Sequence, residues 1–425
     1  MRVLIIGSGG REHAFAHAMH QSSRLSALFV APGNAGILEI AERAAVDVAD
    51  HGAIAEFCAE QQIDLVIVGP EAPLVDGLAD HLRAKSIAVL GPSKAAAELE
   101  GSKAFVKALA FANNVPTAAS QTHDQAESAL AALSDFDLPL VVKADGLAAG
   151  KGVIIAETRE QAEDAVRACF DGAFGAAGSR VVIEEFLSGE EISCFALCDG
   201  IDYRWLGSAQ DHKRVGEGDT GPNTGGMGAY TPAPCLTSAL EAQVRREIIE
   251  PSLKAMADAG TPFQGILFAG IMLTATGPKL LEYNVRFGDP EAQVILPRLG
   301  ERALDLFFAA ATGRMAEIDA EVVLDDRHAL TVVMATEGYP GSYAKGSEIT
   351  LPAETDPDVI VFHAGTQTEG GRLLASGGRV LTITGLGSSL IEARDRAYRA
   401  VNAIQWSEGF FRRDIGWRAL SPNTD

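Results

Sequence analysis

The stretch Leu280–Glu291, LLEYNVRFGDPE, holds the residue types with the most evident chemistry. A strand through it turns alternate side chains to one face, which sets the Glu282 carboxylate beside the Asn284 amide carbonyl. Such hard oxygen ligands suit Mg²⁺ that already carries nucleotide phosphates. Arg286 follows on the same face, a planar fork able to hold a carboxylate or phosphate at two points. Gly288-Asp289-Pro290 then breaks the strand, and Pro290 is expected at the first position of the next helix. A polar strand end entering a helix has the same pattern, so other stretches decide.

Lys143 closes an apolar strand, Pro139–Lys143, ahead of a small-residue loop (144–152) and a second strand, Val153–Ala156. A buried ammonium needs an anion, and the hairpin tip is placed to fold over a polyphosphate. The loop is not a Walker A motif, because GxxxxGK[ST] fails at Gly152 and no helix follows. Lys103 and Lys107 lie on a helix running to about Asn113. The strand Val181–Leu187 leads through Ser188-Gly189-Glu190-Glu191 into Ile192–Cys198, where carboxylates and backbone groups could meet an adenine amino group or ribose hydroxyls. On their own, carboxylates at a turn are usually just solvated. The segment Asp211–Tyr230 packs six glycines and one proline into twenty residues, and its Lys213, Arg214, Asp219 and Asn223 mark a working loop.

These groups need a scaffold. Arg2–Ile6 reads as a buried strand, followed by Gly7-Ser8-Gly9-Gly10 and a helix from about Arg11 to Gln21. Strands at Leu25–Ala31, Asp64–Val68 and Ile87–Leu90 end in similar glycine–proline punctuation, so loops gather at the carboxyl edge of a parallel sheet, where ligands bind. The first glycine loop offers N–H groups and a helix dipole to a phosphate. A dinucleotide is disfavoured there, since GxGxxG needs glycine where Glu12 stands and the second strand ends in Val30-Ala31-Pro32, without an acid for a ribose. A sugar phosphate fits better. His13, His17 and His20 share a helical face, but without an HExxH arrangement a metal is not expected on them. Val115-Pro116 opens a strand, Thr237–Ala259 is a long amphipathic helix, and Ile266–Thr274 pairs with Lys279–Asn284. After a helical pair to about Gly313 come strands at Arg327–Met334, Glu348–Leu351, Asp358–Ala364 and Arg379–Gly385, then a closing helix from about Ser389 to Ile404.

A chain of 425 residues is long enough for two to four cores, and alternating strand and helix patterns with 44 glycines indicate an α/β architecture. Asp plus Glu is 57 against 35 for Lys plus Arg, a net −22, which opposes nucleic-acid or anionic-membrane binding. An anionic substrate must therefore meet a few converging cations. Five cysteines without a CxxC pair fit reduced thiols in a cytoplasm. The apolar run Gly265–Leu273 falls short of the roughly 20 residues that span a bilayer, and the N-terminus has no signal-peptide pattern.

The motifs GSGGREHA, APGNAG, VGPEAPLV, LEGSKAF, KADGLAAGKGV, IEEFLSGEE, QDHKRVGEGDTGPNTGGMGAY, EYNVRFGDPE, VFHAGT and RRDIGWRAL together resemble the glycinamide ribonucleotide synthetases of the ATP-grasp family, essentially end to end. The resemblance implies an N-terminal Rossmann-like parallel-sheet domain (1–101), a two-part ATP-grasp domain (102–314, its lid subdomain about 115–187) and a small C-terminal α+β domain (320–420). It implies ATP-dependent joining of glycine to 5-phosphoribosylamine through a glycyl phosphate, giving glycinamide ribonucleotide, ADP and phosphate in purine synthesis.

By the same resemblance Lys103, Lys143 and Arg214 contact nucleotide phosphates, with Asn223 nearby. Glu184, Glu185, Phe186 and Leu187 form the adenine hinge, and Glu191 receives the ribose. Glu282 and Asn284 hold Mg²⁺ or Mn²⁺. Gly9, Gly10, Asn34 and Glu71 face the sugar-phosphate amine, Asp211 and Arg286 face glycine, and Asp289 joins the substrate residues. Arg286, Asp211 and Lys143 are the catalytic candidates. A cytoplasmic enzyme with small-molecule substrates and no obligate protein partner is expected. The chemistry is coherent, because a carboxylate is a poor electrophile until phosphorylated, and lysines, an arginine and a metal neutralise the charge of that transfer.

Overall fold

The apolar strand Arg2–Gly7 is the centre of a five-stranded parallel sheet, flanked on one side by Ala27–Pro32 and Glu42–Arg43 and on the other by Leu65–Val68 and Val89–Leu90. A computed structural model describes residues 1–147, 152–354 and 356–420. Val3, Leu4, Ile5 and Ile6 are fully buried, as a parallel strand covered on both faces requires. The register pairs Gly7 with Pro32 and Ile6 with Val68, so the loops that follow these strands converge at one edge, as expected. The helix after the first loop is Gly10–His20. A further short helix, Glu71–Asp76, starts inside the punctuation after strand Leu65–Val68.

Beyond this domain two antiparallel sheets face a common cavity. The smaller runs Ser120–His123, Val181–Glu185, Leu140–Ala144, Val153–Ala156, with helices Ala126–Ala132 and Arg159–Phe170 packed on it through Ala129, Leu140, Val142, Ala162, Val166 and Ile183. The strand expected at Val115-Pro116 begins instead at Ser120, because Thr117 bridges to Leu280 and ties this stretch to the other sheet. Residues 148–151 of the expected hairpin tip lie outside the described residues.

The larger sheet has nine strands. It starts at Gly277–Asn284 and Gln264–Thr274, continues through Glu190–Asp199, Tyr203–Asp211 and Gly228–Thr231, and runs on into His328–Thr336, Arg379–Gly387 and Val359–His363, with Gly409–Phe410 paired to His328–Thr336. The C-terminal α+β unit thus shares one sheet with the middle part of the chain. Gly228–Thr231 is the seam, bonded to Gln210–Asp211 on one side and to Ala329–Val332 on the other, which leaves no open edge between them. A separate three-stranded sheet contains a hairpin the sequence reading passed over, Thr366–Glu369 and Arg372–Ala375, turned by Gly370-Gly371 with both φ positive. Helix Leu390–Ala403 lies close on the large sheet, where a Cβ at Gly385 would stand 2.2 Å from the Ala393 carbonyl oxygen.

Two helices differ in detail from the sequence pattern. The expected helix Thr237–Ala259 widens to a π turn over Arg245–Ile249, just before Pro251, whose missing N–H cannot serve a regular turn. The helix after Gly288-Asp289-Pro290 is Ala292–Leu299, so Pro290 sits in the preceding turn rather than at the first helical position. Among the described residues no helix is long and apolar enough to cross a membrane.

Candidate active site

Strand Gly277–Asn284 buries Tyr283 and, just past its end, Val285, so Glu282, Asn284 and Arg286 turn the other way, into a cavity of about 530 Å³. Facing them are Lys103 and Lys107 from helix Lys103–Ala112, Lys143 from the smaller sheet, and Asp211, Lys213 and Asn223 from the glycine-rich segment. That segment is ordered as a short hairpin, Arg214–Gly216 with Thr220–Asn223. The C-terminal motif clamps it: Arg412 and Arg418 reach Asp219 at 2.9 and 2.6 Å, and the Gly416 N–H donates to His212 Nε2 at 2.9 Å.

The charges in the cavity are matched locally. Lys107 and Lys143 share one oxygen of Glu184, at 3.1 and 3.0 Å, while its other oxygen is buried with no partner among the described residues. Lys103 donates to the Gly146 carbonyl at 3.0 Å. Burial pushes the Glu282 carboxyl up, but Lys213, Lys143, Lys103 and Arg286 outweigh it and hold the group below its ordinary value. Lys213 pairs with Glu191 and is held well above the ordinary lysine value, its burial overcome by Glu191, Asp211 and Glu282. Asp211 moves the other way: burial, with Glu291 and Glu191 adding to it, raises its carboxyl against the pull of Lys213. Arg286 lies 2.7 Å from Glu100 and 3.4 Å from Glu71, so two carboxylates already face it.

A second cavity, about 390 Å³, lies between the parallel sheet and the C-terminal unit. Ser8, Gly9, Gly33 and Asn34 come from the first, and Tyr339, Ala364, Gly365, Thr366, Ser376 and Arg379 from the second, with Asp289 between. The Gly9 N–H donates to Glu12 Oε2 at 2.5 Å. Glu12 thus fills the space a dinucleotide fingerprint reserves for its third glycine, and a Cβ on Gly69 would stand 1.9 Å from it. Asn34 donates to the Ser8 and His363 carbonyls and accepts from the Ile37 N–H, pinning the loop to the strand Val359–His363. His13 Nδ1 accepts from the His363 N–H at 2.8 Å, a structural bond. Among the described residues no three His, Cys, Asp or Glu side chains are grouped to hold a metal.

The larger cavity gathers Lys103, Lys143, Glu184, Glu185, Phe186, Leu187, Glu191, Asp211, Asn223, Glu71, Glu282, Asn284 and Arg286; Gly9 and Asn34 line the smaller, and Asp289 lines both. Two of the residues expected in the site line neither. Arg214 donates to the Gly221 carbonyl across its own hairpin, and Gly10 gives way to Gln293, whose Nε2 would be 2.5 Å from a Cβ there. Lys107, Lys213, Glu100, Glu291 and Arg379 line the cavities without having been assigned to the site. Lys107 carried a signal, one helical turn beyond Lys103; Arg379 carried none.

Two β-modules closing on a lysine-lined cavity, with a carboxylate and an amide on the floor strand, define an ATP-grasp fold. The biotin carboxylase domain of Hydrogenobacter thermophilus 2-oxoglutarate carboxylase, solved with MgADP, has the same fold at 16% identity, TM-score 0.76, covering 96% of this chain and 91% of that one. More specifically, the chain belongs to the phosphoribosylglycinamide synthetase family, whose N, ATP-grasp and C domain models match residues 1–100, 101–292 and 329–418. A phosphoribosylamine–glycine ligase of Brucella melitensis is 56% identical, covering 99% of this chain and 98% of that one, and one of Mesorhizobium japonicum is 54% identical over 99% of each. The crystal structure of phosphoribosylamine–glycine ligase from Thermotoga maritima superposes with TM-score 0.87 at 32% identity, covering 98% of this chain and all of the other.

Proposed function

We propose that the chain joins glycine to 5-phosphoribosylamine at the expense of ATP, through glycyl phosphate, in purine synthesis. The observation that carries this reading is the pairing of the two cavities. One is lined by lysines and an oxygen pair, the other by a glycine loop and small polar groups, and they share the lining residues Asp289 and Arg379. A nucleotide and an acid to be activated suit the first, and a phosphate-bearing amine suits the second.

The division of labour follows from the side chains. Lys103 and Lys143 bring cations to the nucleotide phosphates, with Lys107 sharing Glu184 behind them. The stretch Glu184–Leu187 borders the base, and Glu191 the ribose. Glu282, kept ionised, and Asn284 suit a divalent ion that takes most of its remaining ligands from phosphate oxygens and water, as Mg²⁺ does. Such an ion supplies charge neutralisation in phosphoryl transfer. Asp211 and Arg286 border glycine, with Glu71 and Glu100 beside Arg286 favouring an ammonium there. Closure of the two modules keeps water from the acyl phosphate.

Glycine labelled with ¹⁸O in its carboxylate tests the chemistry. The carboxylate oxygen that attacks phosphorus should appear in the phosphate released, and unlabelled phosphate from a reaction that makes the amide would overturn the acyl-phosphate route. A panel of amino acids run alongside distinguishes glycine from another acid, and titration with Mg²⁺ and Mn²⁺ ranks the metals.

A further inference from the structure

Arg379 lines both cavities, and its guanidinium ties together the loops that form their common wall. One terminal nitrogen donates to the carbonyls of Gly225 at 2.7 Å, Gly226 at 3.3 Å and Asp289 at 2.6 Å, and the other lies 3.5 Å from the Asp289 carboxylate. The packing against the glycine-rich segment is close. A Cβ on Gly225 would stand 3.0 Å from the guanidinium carbon, and one on Gly226 would stand 2.5 Å from Pro290 Cδ. Asp289 in turn accepts from the Arg11 N–H at 3.3 Å and from Gln293 Nε2 at 2.8 Å, which connects the wall to the first glycine loop. A residue on a C-terminal strand therefore fixes the glycine-rich segment, the turn after the metal-type strand and, through Asp289, the start of the first helix.

We propose that Arg379 is a positioning residue for the transfer half of the reaction, holding the wall across which the amine reaches the acyl phosphate. The inference rests on the ligase reading above. In that step the amine nitrogen's lone pair forms the C–N bond to the glycyl carbonyl carbon. The C–O bond to the phosphoryl group breaks, phosphate leaves with the electron pair, and the nitrogen's proton passes to that phosphate or to water. The two reactants come from different cavities, so their alignment depends on the shared wall. Formation of the acyl phosphate draws chiefly on Lys103, Lys143, Glu282 and Asn284, which a helix and two strands hold in the larger cavity without the Arg379 tie. A loosened wall thus harms transfer more than activation, and water, attacking the same carbon, returns glycine and phosphate.

The test is the ratio of ADP to amide in Arg379→Met, with phosphoribosylamine formed in situ from ribose 5-phosphate and ammonia. The wild type should give one ADP per amide. In the variant, amide formation is expected to fall by about 10²-fold, the scale of a small misalignment. Glycine-dependent ADP release should fall far less, so the ratio rises severalfold. Equal losses at an unchanged ratio overturn the proposal, whereas a wild type that makes no amide overturns the ligase reading itself. If Arg379→Met does not fold, Arg379→Gln carries the test, since it keeps a polar group on the Asp289 side and is too short, with too few donors, to serve the three carbonyls. A raised ratio in folded Arg379→Gln supports the three-carbonyl tie, and one ADP per amide overturns it.

Discussion

The two cavities are built by opposite means. The larger one is a mesh of charged side chains on strands and helices: Lys107 and Lys143 on Glu184, Lys213 on Glu191, Arg286 on Glu100 and Glu71. The smaller one is mostly main chain and small polar groups, and its charged lining residues are Asp289 and Arg379, which it shares with the larger. Behind it the imidazoles are neutral: burial, aided by His363 and His17, pushes His13 down to about 3, and burial pushes His363 down to about 4. One cavity presents fixed charges already paired with one another, and the other presents mainly backbone shape. Charge substitutions should therefore act on the nucleotide half, and substitutions that release main chain should act on the amine half.

The largest effect is expected at Glu282. Glu282→Ala removes the ionised oxygen that faces four cations, and turnover should fall by about 10²- to 10³-fold, the scale of losing one aimed electrostatic group. The fold should survive, because the neighbouring Tyr283 and Val285 make the core contacts. Asn284→Ala should lose less and recover partly with excess Mg²⁺. Full turnover of both variants at limiting metal, with unchanged circular dichroism, would make the oxygen pair structural.

This contrast also explains what could be read from the sequence. A lysine at the end of a buried strand, or a carboxylate alternating with an amide, is conspicuous because burial of such groups needs a reason. Lys143, Glu282 and Asn284 were legible on those grounds, as was the parallel sheet from its apolar runs and punctuated loops. The smaller cavity was legible in its first glycine loop and Asn34, but it also draws on Gly365, Thr366 and Ser376, residues ordinary in any loop, and only the pairing of the sheets brings the two sets together. The continuous nine-stranded sheet was hidden for a related reason. Gly228–Thr231 is four residues at the end of a glycine-rich segment, and nothing local says that it has neighbours on both sides. Arg379 was out of reach because its hydrogen-bond partners are backbone carbonyls and its ion pair with Asp289 spans ninety residues of sequence.

Lys107→Met sharpens the comparison from the charged side. Lys107 is buried, and its ammonium also donates to Thr117 Oγ1 at 2.8 Å. Its loss leaves Glu184 to Lys143 alone, so stability should drop by about 2 kcal/mol. The KM for ATP should rise while that for the amine stays near its original value. A denaturant midpoint and two KM measurements check this; a selective rise in the amine KM would break the division.

Asn34→Ala is the counterpart in the smaller cavity. The amide's bonds to the Ser8 and His363 carbonyls and from the Ile37 N–H would go, at a cost of about 1–2 kcal/mol for the groups left unpaired. The loop it pins lines the smaller cavity, so the amine KM should rise several times more than the ATP KM. Equal rises would mean that the two cavities share more than their common wall.

The smallest effect is expected outside both linings, at Asp219. This residue has φ +57°, a conformation asparagine tolerates well, so Asp219→Asn isolates the charge from the backbone. The carboxyl is held far below its ordinary value by His212, Arg412 and Arg418, against its burial. The two guanidiniums are the substantial partners, since His212 Nδ1 stands 3.8 Å away, too far for a good hydrogen bond. Arg412 keeps Asp414 at 2.7 Å in the variant, so the loss should be about 1 kcal/mol, with both KM values moving together. A carboxyl whose folded pKa is depressed contributes its full stability above its unfolded pKa of about 3.9 and loses it as pH falls through the folded value. The gap between wild type and Asp219→Asn should therefore stay level from about pH 8 to about pH 5 and close only on further acidification. Burial holds the His212 imidazole below its ordinary value, and its Nε2 accepts from the Gly416 N–H, which needs the neutral ring. Melting temperatures of the pair at several pH values read the gap directly. A gap that changed between pH 7 and pH 5 would assign the clamp to His212 instead, and the glycine-rich segment would then owe its position to a titrating imidazole rather than to two fixed arginines.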